Sequence, residues 1–388
     1  MEISTCVKYV GVNDHQVDLF EGQYKVPNGM SYNSYVILDE KIAVMDTVDG
    51  FFTEEWLNNV EQVLSGKTPD YLVIQHMEPD HSASIPAFLK KYPNATVVST
   101  AKGFQFMEQF FPEFFAGQGL PAEQRIVAAN DGVLELGQHS LHFVYAPMVH
   151  WPEVMMTYEA TEKILFAADG FGKFGALDVE EEWANEARRY YIGIVGKYGP
   201  QVQAVLKKAA GLDIQTICSL HGPVLKENLG FYLEKYDKWS SYQPEESGVV
   251  IAYASVYGNT RNAAEYLADV LQEKGQKTVL YDLARCDKAK AVADAFRYDR
   301  LVLAGITYNG DLFPCMRSFI EGLTERNYQN RKVAIIENGT WAPMAGKLIL
   351  GMFEKSKNLT FTETKVSIKS AMNAQNKEEI GKLAEELS

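Results

Sequence analysis

The last part of the sequence alternates strand-like and helix-like segments so regularly that few folds can accommodate it. Beyond residue 247, five short apolar runs alternate with five segments whose apolar residues recur at helical spacing, from Val249–Ser255 and Arg261–Gly275 to a last strand at Leu359–Ile368. Strands separated by helices in this way pair in parallel, with helices on both faces of one sheet. We therefore predict an α/β fold for this part, with a doubly wound parallel sheet of five strands.

A polar segment separates this part from the rest of the chain. Residues 242–248 read Tyr-Gln-Pro-Glu-Glu-Ser-Gly, a composition that is typical of linkers. Before it, a hairpin at residues 35–45 and isolated strand-like runs are mixed with helical segments, including one long helical stretch at Glu180–Ala210. Strand pairs mixed with helices indicate an α+β domain in which helices cover two mixed sheets. We predict two domains, residues 1–246 and residues 247–388.

Composition excludes several classes of function. The 388 residues carry a net charge of −14, so the chain lacks the basic character that a nucleic-acid binder needs. The longest apolar runs are far too short to cross a bilayer, and no signal peptide is visible. The four cysteines include no CxxC pair, which argues against a disulfide framework and against a cysteine-based zinc or iron–sulfur site. We expect a cytoplasmic protein without a nucleic-acid or membrane partner.

Residues 76–81 place four metal-ligating side chains within six positions. They read His-Met-Glu-Pro-Asp-His and directly follow a predicted strand. Alternate residues of an extended segment point the same way, so we expect His76, Glu78 and Asp80 to converge, with the intervening proline keeping the segment extended. Two imidazoles and two carboxylates are sufficient to begin two metal sites.

Three further residues of ligand type stand at the ends of predicted strands, namely His150, Asp169 and His221. Imidazoles mixed with hard carboxylates, without thiolates, suit iron or zinc, and a carboxylate such as Asp169 is able to bridge two ions. We favour two redox-active irons. The other histidines are expected to be structural residues outside any metal site, the last two on an exposed strand: His15, His139 and His142.

Three loops at one edge of the predicted sheet have the features of a cofactor site. After the first strand, hydroxyls, a glycine and free amides at a helix N-terminus suit a phosphate, and the lack of a Walker lysine favours a mononucleotide over ATP. Ligands of open parallel sheets bind beyond the carboxyl ends of the strands, where Tyr308 or Trp341 is placed to stack on a flavin ring. The loops comprise Ser255, Val256, Tyr257, Gly258, Asn259 and Thr260; Thr307, Tyr308, Asn309 and Gly310; and Asn338, Gly339, Thr340 and Trp341.

These motifs resemble those of a known family. The His-x-Glu-x-Asp-His segment with the three separated ligands resembles the di-iron version of the metallo-β-lactamase fold, and Glu78 in place of the usual histidine resembles the flavodiiron proteins. Residues 248–388 resemble flavodoxin. The resemblance implies an αββα sandwich followed by a flavodoxin-like domain, with FMN and two non-haem iron ions. It implies one iron on His76, Glu78 and His150, a second on Asp80 and His221, and Asp169 as the bridge.

The resemblance also implies an activity and partners. The family reduces dioxygen to water with four electrons, nitric oxide to nitrous oxide, or both, and we favour dioxygen for this chain. Asp169 would be the bridging catalytic residue. His81 is bound to iron in some members and turned away in others, where it or a nearby tyrosine could deliver protons. Electrons would come from rubredoxin, another small donor or a reduced deazaflavin, and the assembly would be a head-to-tail homodimer or a dimer of such dimers.

Two other functions remain open from the sequence. The first is a zinc-dependent hydrolase of the metallo-β-lactamase superfamily with a redox-sensing flavodoxin domain. The second is a protein that transfers electrons or senses redox state without catalysis. Glu78 and the lack of a third clustered histidine argue against the hydrolase.

Overall fold

The computed structural model describes residues 3–115 and 120–388. Contacts divide the described chain into two compact units. The first comprises the residues up to Tyr190 together with Pro200–Tyr236, and the second comprises Tyr191–Gly199 with Asp237–Ser388. The domain boundary between residues 246 and 247 stays a prediction.

The first part of the chain supplies short strands and peripheral helices. Its strands are β1 Val7–Tyr9, β2 Val12–Asp14, β3 Leu19–Phe20, β4 Tyr24–Lys25, β5 Met30–Tyr32, β6 Tyr35–Ile37, β7 Ala43–Met45, β8 Tyr71–Val73, β9 Thr96–Ser99, β10 Arg125–Val127, β11 Val133–Glu135, β12 Ser140–Tyr145, β13 Met155–Glu159, β14 Ile164–Phe166 and β15 Thr216–Cys218. Its helices are α1 Thr53–Leu64, α2 Pro79–Ser82, α3 Ile85–Lys91, α4 Ala101–Phe110, α5 Trp183–Tyr190, α6 Gly199–Ala209 and α7 Leu229–Ser240.

Two large mixed sheets form the main part of the first unit, as predicted, and two small antiparallel pairs, β2 with β5 and β3 with β4, accompany them. One has the order β1-β6-β7-β8-β9-β10 and the other the order β11-β12-β13-β14-β15. Each contains antiparallel and parallel pairs, such as β6 with β7 and β7 with β8. Buried side chains of both sheets share one core, in which Tyr35 and Val73 of the first sheet join Phe143 and Phe166 of the second. The sheets therefore pack face to face as a sandwich.

The predicted helical stretch at Glu180–Ala210 is interrupted. Helix α5 ends at Tyr190, a π-helical turn covers Tyr191–Val195, a 3-10 turn covers Gly196–Tyr198, and α6 begins at Gly199. Glycine disfavours a continuous helix, and proline, here at residue 200, is tolerated in the first turn of a new one. The spacing of hydrophobic residues did not predict these interruptions.

The second unit confirms the prediction of a doubly wound parallel sheet. Its path runs β17-β16-β18-β20-β21, and every neighbouring pair along it is parallel. The strands are β16 Glu246–Tyr253, β17 Thr278–Asp282, β18 Tyr298–Tyr308, β19 Asp311–Leu312, β20 Arg331–Asn338, β21 Leu359–Phe361 and β22 Val366–Ile368. The helices are α8 Asn259–Glu273, α9 Lys288–Arg297, α10 Pro314–Thr324, α11 Ala345–Met352 and α12 Ala374–Glu386.

The last predicted strand, Leu359–Ile368, is divided into two. Its pieces β21 and β22 both pair with β20 in parallel. Between them the carboxylate of Glu386 accepts hydrogen bonds from the amides of Glu363 and Thr364, at 2.7 and 2.9 Å. Those amides therefore bond to a side chain and not to a neighbouring strand. Among the residues that the structure describes, no helix has both the length and the apolar character that a membrane crossing requires.

Candidate metal centre and cofactor pocket

The ligand-type residues of the first unit follow strand ends. His76 comes after β8, Asp169 after β14 and His221 after β15, and all three side chains are buried. Rigid strands thus fix the starting point of each short connection, which is the usual way to hold a site within narrow tolerances.

The first cluster consists of His76, Glu78, His150 and Asp169, whose ligand atoms all lie within 4.8 Å of one another. The Nε2 atoms of His76 and His150 are 3.2 Å apart. The Glu78 Oε2 atom lies 3.3 Å from His76 Nε2 and 3.0 Å from His150 Nε2. Two imidazoles and one carboxylate therefore point at a common space.

The second cluster consists of Asp80, His81 and His221. The Nε2 atoms of His81 and His221 are 3.0 Å apart, and Asp80 Oδ2 lies 3.3 and 3.2 Å from them. His81, which the sequence left either bound or turned away, points into this cluster.

Asp169 faces both clusters with different oxygens. Its Oδ2 atom lies 3.0 Å from His150 Nε2 and 3.5 Å from His76 Nε2. Its Oδ1 atom lies 3.3 Å from His81 Nε2 and 3.9 Å from His221 Nε2. This is the arrangement that a carboxylate bridging two ions requires. The geometry brings all seven expected ligands together, while their role as ligands stays a prediction.

The expectation of one extended segment through residues 76–81 is wrong. Glu78 is extended (φ −60°, ψ 139°), but Pro79 opens the helical turn α2 as its first residue. Proline is favoured at this position because the first helical amide has no intrahelical partner. The turn directs Asp80 away from His76 and Glu78 and into the second cluster.

The buried carboxylates of both clusters lack hydrogen-bond partners in the described part of the chain, and this favours bound cations. Both carboxylate oxygens of Asp80 and both of Asp169 are buried and have no hydrogen-bond partner among the described residues. Their close approaches to imidazole nitrogens thus lack hydrogen-bond geometry. Buried carboxylates without partners are costly unless a cation neutralises them. Imidazole and carboxylate donors suit iron or zinc.

The electrostatics of the site favour positive charge. Burial disfavours a charged imidazole, yet the carboxylate of Asp169 and the hydrogen bond to Glu153 raise the pKa of His76 well above its usual value. Burial also disfavours a charged His150, yet the nearby carboxylates of Asp169 and Glu78 raise the pKa of His150 to about 9. Burial tends to raise the pKa of Asp169, but the imidazoles, His76 first, hold it well below its usual range.

Two hydrogen-bond partners orient the histidines from behind. Glu153 Oε1 lies 2.8 Å from His76 Nδ1 and also accepts from the Met77 amide at 2.9 Å. His221 Nδ1 donates to the Ser31 carbonyl at 2.7 Å. Such contacts fix the tautomer and leave Nε2 free for a metal. Glu153 was missed from the sequence, although its position three residues after His150 was a usable signal.

Aromatic rings and one further carboxyl border the first cluster. The ring centroid of Trp151 lies 5.2 Å from that of His76, and Phe110 stacks on Trp151 at 6.2 Å. Glu21, in the turn between β3 and β4, is close enough to Glu78 that desolvation of its carboxyl and the second carboxylate raise the pKa of Glu21 to about 7. No sequence pattern indicated Glu21.

The remaining histidines lie outside both clusters. His15 pairs with Asp178 at 3.0 Å on the surface, and His142 is half-buried in β12. His139 differs from the expectation, because it is buried and not exposed. Its Nδ1 atom lies 2.8 Å from Asp39 Oδ2.

A pocket of about 690 Å³ lies at the carboxyl edge of the sheet in the second unit. All predicted loop residues except Gly258 line it, from Ser255 and Thr260 to Trp341. Ser370, which follows β22, also lines the pocket and was missed, although it obeys the same strand-end rule.

The pocket wall offers hydroxyls, amides and exposed rings. Helix α8 begins after Gly258 (φ +92°), and the Asn262 amide donates to the Gly258 carbonyl, so the amides of Asn259 and Thr260 precede the intrahelical hydrogen bonds. Free amides at a helix N-terminus suit a phosphate. Tyr257 and Trp341 are 93% and 82% exposed, which leaves their rings available for stacking.

Two predicted pocket residues also have structural contacts. The Thr307 hydroxyl accepts from the amides of Met344 and Ala345 at 2.8 and 3.1 Å, at the start of α11. The Asn338 side chain donates to Thr260 Oγ1 at 3.3 Å and to the Ser370 carbonyl at 2.9 Å. These contacts tie three of the loops together.

Comparisons with known proteins agree with this architecture. The family model of the ODP family beta lactamase matches residues 30–222, and that of the flavodoxin domain matches residues 250–363. An anaerobic nitric oxide reductase flavorubredoxin of Vibrio vulnificus is 28% identical over 355 residues, which cover 88% of this chain and 70% of the relative.

Two solved structures share the fold over nearly the whole chain. The flavodiiron protein of Giardia intestinalis aligns with a TM-score of 0.91 and 26% identity, covering 100% of this chain and 95% of that one. The rubredoxin oxygen:oxidoreductase of Desulfovibrio gigas aligns with a TM-score of 0.91 and 24% identity, covering 99% and 96%.

Proposed function

Since the chain belongs to the flavodiiron proteins, with an ODP-family β-lactamase domain followed by a flavodoxin domain, we propose that it reduces dioxygen, nitric oxide or both. The observation that carries the proposal is the pair of ligand clusters that share Asp169. Relatives and structural neighbours include a nitric oxide reductase and an oxygen oxidoreductase, so the family supports either gas. Of the two we favour dioxygen.

The proposed cofactors are two non-haem irons and FMN. His76, Glu78 and His150 would hold one iron, and the second cluster would hold the other. We include His81 among the ligands, because its Nε2 atom faces His221 Nε2 at 3.0 Å. When bound, two ferrous ions and reduced FMN supply up to four electrons to the gas. Conversion of dioxygen into two waters consumes four electrons and four protons, whereas coupling of two nitric oxide molecules to nitrous oxide and one water consumes two of each.

The side chains of this chain have distinct tasks in the proposal. Asp169 keeps the two clusters at a fixed separation, since each of its oxygens faces a different pair of imidazoles. Glu153 holds the ring of His76 and keeps its Nδ1 proton in place. Trp151, stacked on Phe110, covers the first cluster and limits access of water.

Electrons and assembly complete the proposal. We propose a separate small donor of the rubredoxin type, or a reduced deazaflavin. We also propose a head-to-tail homodimer, alone or paired with a second dimer, in which FMN of one subunit serves the irons of the other.

The test measures consumption of an added gas by protein that has been reduced under anaerobic conditions. The iron-loaded, fully reduced protein is mixed with dioxygen or nitric oxide, and substrate loss and product are followed with a rubredoxin-coupled donor. We expect turnover with water or nitrous oxide as the product. His76→Ala should abolish it, whereas His142→Ala, a change at a half-buried histidine outside both clusters, should not.

Two outcomes would overturn the proposal. Consumption of neither gas by iron-loaded protein would favour an electron-transfer or sensing role. Zinc in place of iron in the purified protein, with hydrolysis of an ester or lactam, would favour the hydrolase.

A further inference from the structure

A third group of ligand-type side chains lies at the opposite strand ends from the metal centre. The group consists of Cys6, His139 and Glu162, each of which offers a ligand atom within 4.8 Å of the other two. Glu162 precedes β14, whereas Asp169 follows it, so the two groups are separated by that strand. This group departs from two sequence-based expectations, because the lack of a CxxC pair argued against a cysteine-based zinc site and His139 was expected outside any metal site.

His139 is oriented as metal-binding histidines are. Its Nδ1 atom lies 2.8 Å from Asp39 Oδ2, and its backbone amide donates to the same oxygen at 2.7 Å. Both side chains are nearly buried, at 6% and 5% exposure. The Asp39 oxygen that accepts from the backbone amide also accepts from Nδ1, so Nδ1 carries the proton. The other ring nitrogen, Nε2, is left as the ligand atom.

Cys6 and Glu162 are held by a common partner. The Ser4 hydroxyl accepts from the amides of Cys6 and Val7 at 3.2 and 2.9 Å, and it donates to the Glu162 carboxylate. The Glu162 amide in turn donates to the buried Glu159 at 2.7 Å. The three ligands thus come from three separate turns whose backbones are fixed by their own hydrogen bonds. Such support is what distinguishes a built site from a chance cluster.

We propose that Cys6, His139 and Glu162 bind a zinc-class divalent ion, with water in the fourth position. Thiolate, imidazole and carboxylate are all zinc ligands, and three protein ligands plus water is a recognised zinc coordination. Binding releases the Cys6 thiol proton to solvent, and the thiolate and carboxylate charges balance the ion. The ion ties the first residues of the chain to the turns before β12 and β14, so its role is to stabilise the first unit.

The test is protection of Cys6 from alkylation by Zn²⁺. Iron- and FMN-loaded protein is treated with iodoacetamide at increasing zinc chloride concentrations, and modification of each cysteine is read by mass spectrometry. A metal-bound thiolate is a poor nucleophile, so we expect Zn²⁺ to slow the alkylation of Cys6 only. Cys286 and Cys315 are half-buried internal controls. Iron content is measured in parallel to register any displacement from the main centre.

Two variants test the other ligands and their support. Glu162→Gln should abolish protection, while Glu135→Gln, an exposed carboxyl in the same sheet, should leave it unchanged. Asp39→Asn should raise the zinc concentration for half-protection by about 10–100-fold, the usual effect of removing a partner behind a metal-bound histidine. If Asp39→Asn fails to fold, the loss or survival of Cys6 protection in Glu162→Gln still tests the proposal.

Equal alkylation of Cys6 with and without Zn²⁺ would overturn the proposal. So would protection that survives Glu162→Gln, because the ion would then be bound elsewhere. Neither result bears on gas reduction, which depends on the separate clusters around Asp169.

Discussion

The role of Glu153 behind His76 gives a quantitative prediction. The carboxylate is 3% exposed and accepts from His76 Nδ1 at 2.8 Å and from the Met77 amide at 2.9 Å. Glu153→Gln retains one acceptor oxygen but removes the negative charge that supports the basicity of His76. It also replaces the buried Oε2 atom, which has no hydrogen-bond partner among the described residues, by an amide group that would have no acceptor there. Removal of such a partner lowers metal affinity about 10–100-fold, or roughly 1.4–2.7 kcal/mol.

Iron retention measures this effect directly. Wild type and Glu153→Gln are dialysed against graded chelator, and iron and flavin are quantified after each step. We expect the variant to lose iron at about 10–100-fold lower chelator strength and to keep its flavin. Glu159→Gln is the matched control, because Glu159 is an equally buried carboxylate that accepts from the Thr161 and Glu162 amides at 2.8 and 2.7 Å. Equal iron retention in both variants would refute the reasoning.

Three further predictions use simpler readouts. His76→Ala should lose iron and keep FMN, as measured by metal analysis and flavin absorbance; a full iron complement would refute the ligand assignment. Thr260→Ala should weaken FMN and leave iron, as flavin titration of the apoprotein would show, and unchanged affinity would remove Thr260 from the phosphate site. Glu386→Gln should lower the free energy of unfolding by about 1 kcal/mol at pH 7. Partial burial opposes ionisation of Glu386, but hydrogen bonds from Thr364 and Glu363 hold its pKa below the usual value. The stabilisation by this carboxylate is therefore present above the unfolded pKa and is lost as pH falls through the lower, folded pKa. Denaturant unfolding should show the stability difference between wild type and variant shrinking below about pH 4.

Residue pattern predicted which side chains the structure brings together, because both groups of side chains follow strand ends. His76, Asp169 and His221 each follow a short buried strand, and the pocket loops follow β16, β18 and β20. Where the carboxyl ends of strands meet, side chains from distant parts of the sequence converge. The prediction therefore required only the positions of the strands and the residue types that follow their carboxyl ends.

What the sequence did not predict depends on local turns and on contacts between distant segments. The helical turn at Pro79 sends Asp80 to the second cluster, a choice that residue alternation does not encode. Glu153 acts through a hydrogen bond to a histidine 77 positions earlier in the sequence. His139 is buried because Asp39, 100 positions away, meets it across a turn. Such pairings follow from tertiary packing and carry no periodic signal.

The interleaving of the compact units bears on how this protein can be divided. The chain passes between the units three times, after Tyr190, Gly199 and Tyr236. A fragment starting at residue 247 would therefore leave Arg326 and Asn327 without the carbonyls of Gly193 and Lys197, to which they donate at 3.1 and 2.8 Å. The unit that matches the flavodoxin domain is therefore not contiguous in the sequence. A chimera that takes this unit from a homologue would therefore need residues Tyr191–Gly199 from the same homologue. Otherwise it would need other acceptors in place of their carbonyls.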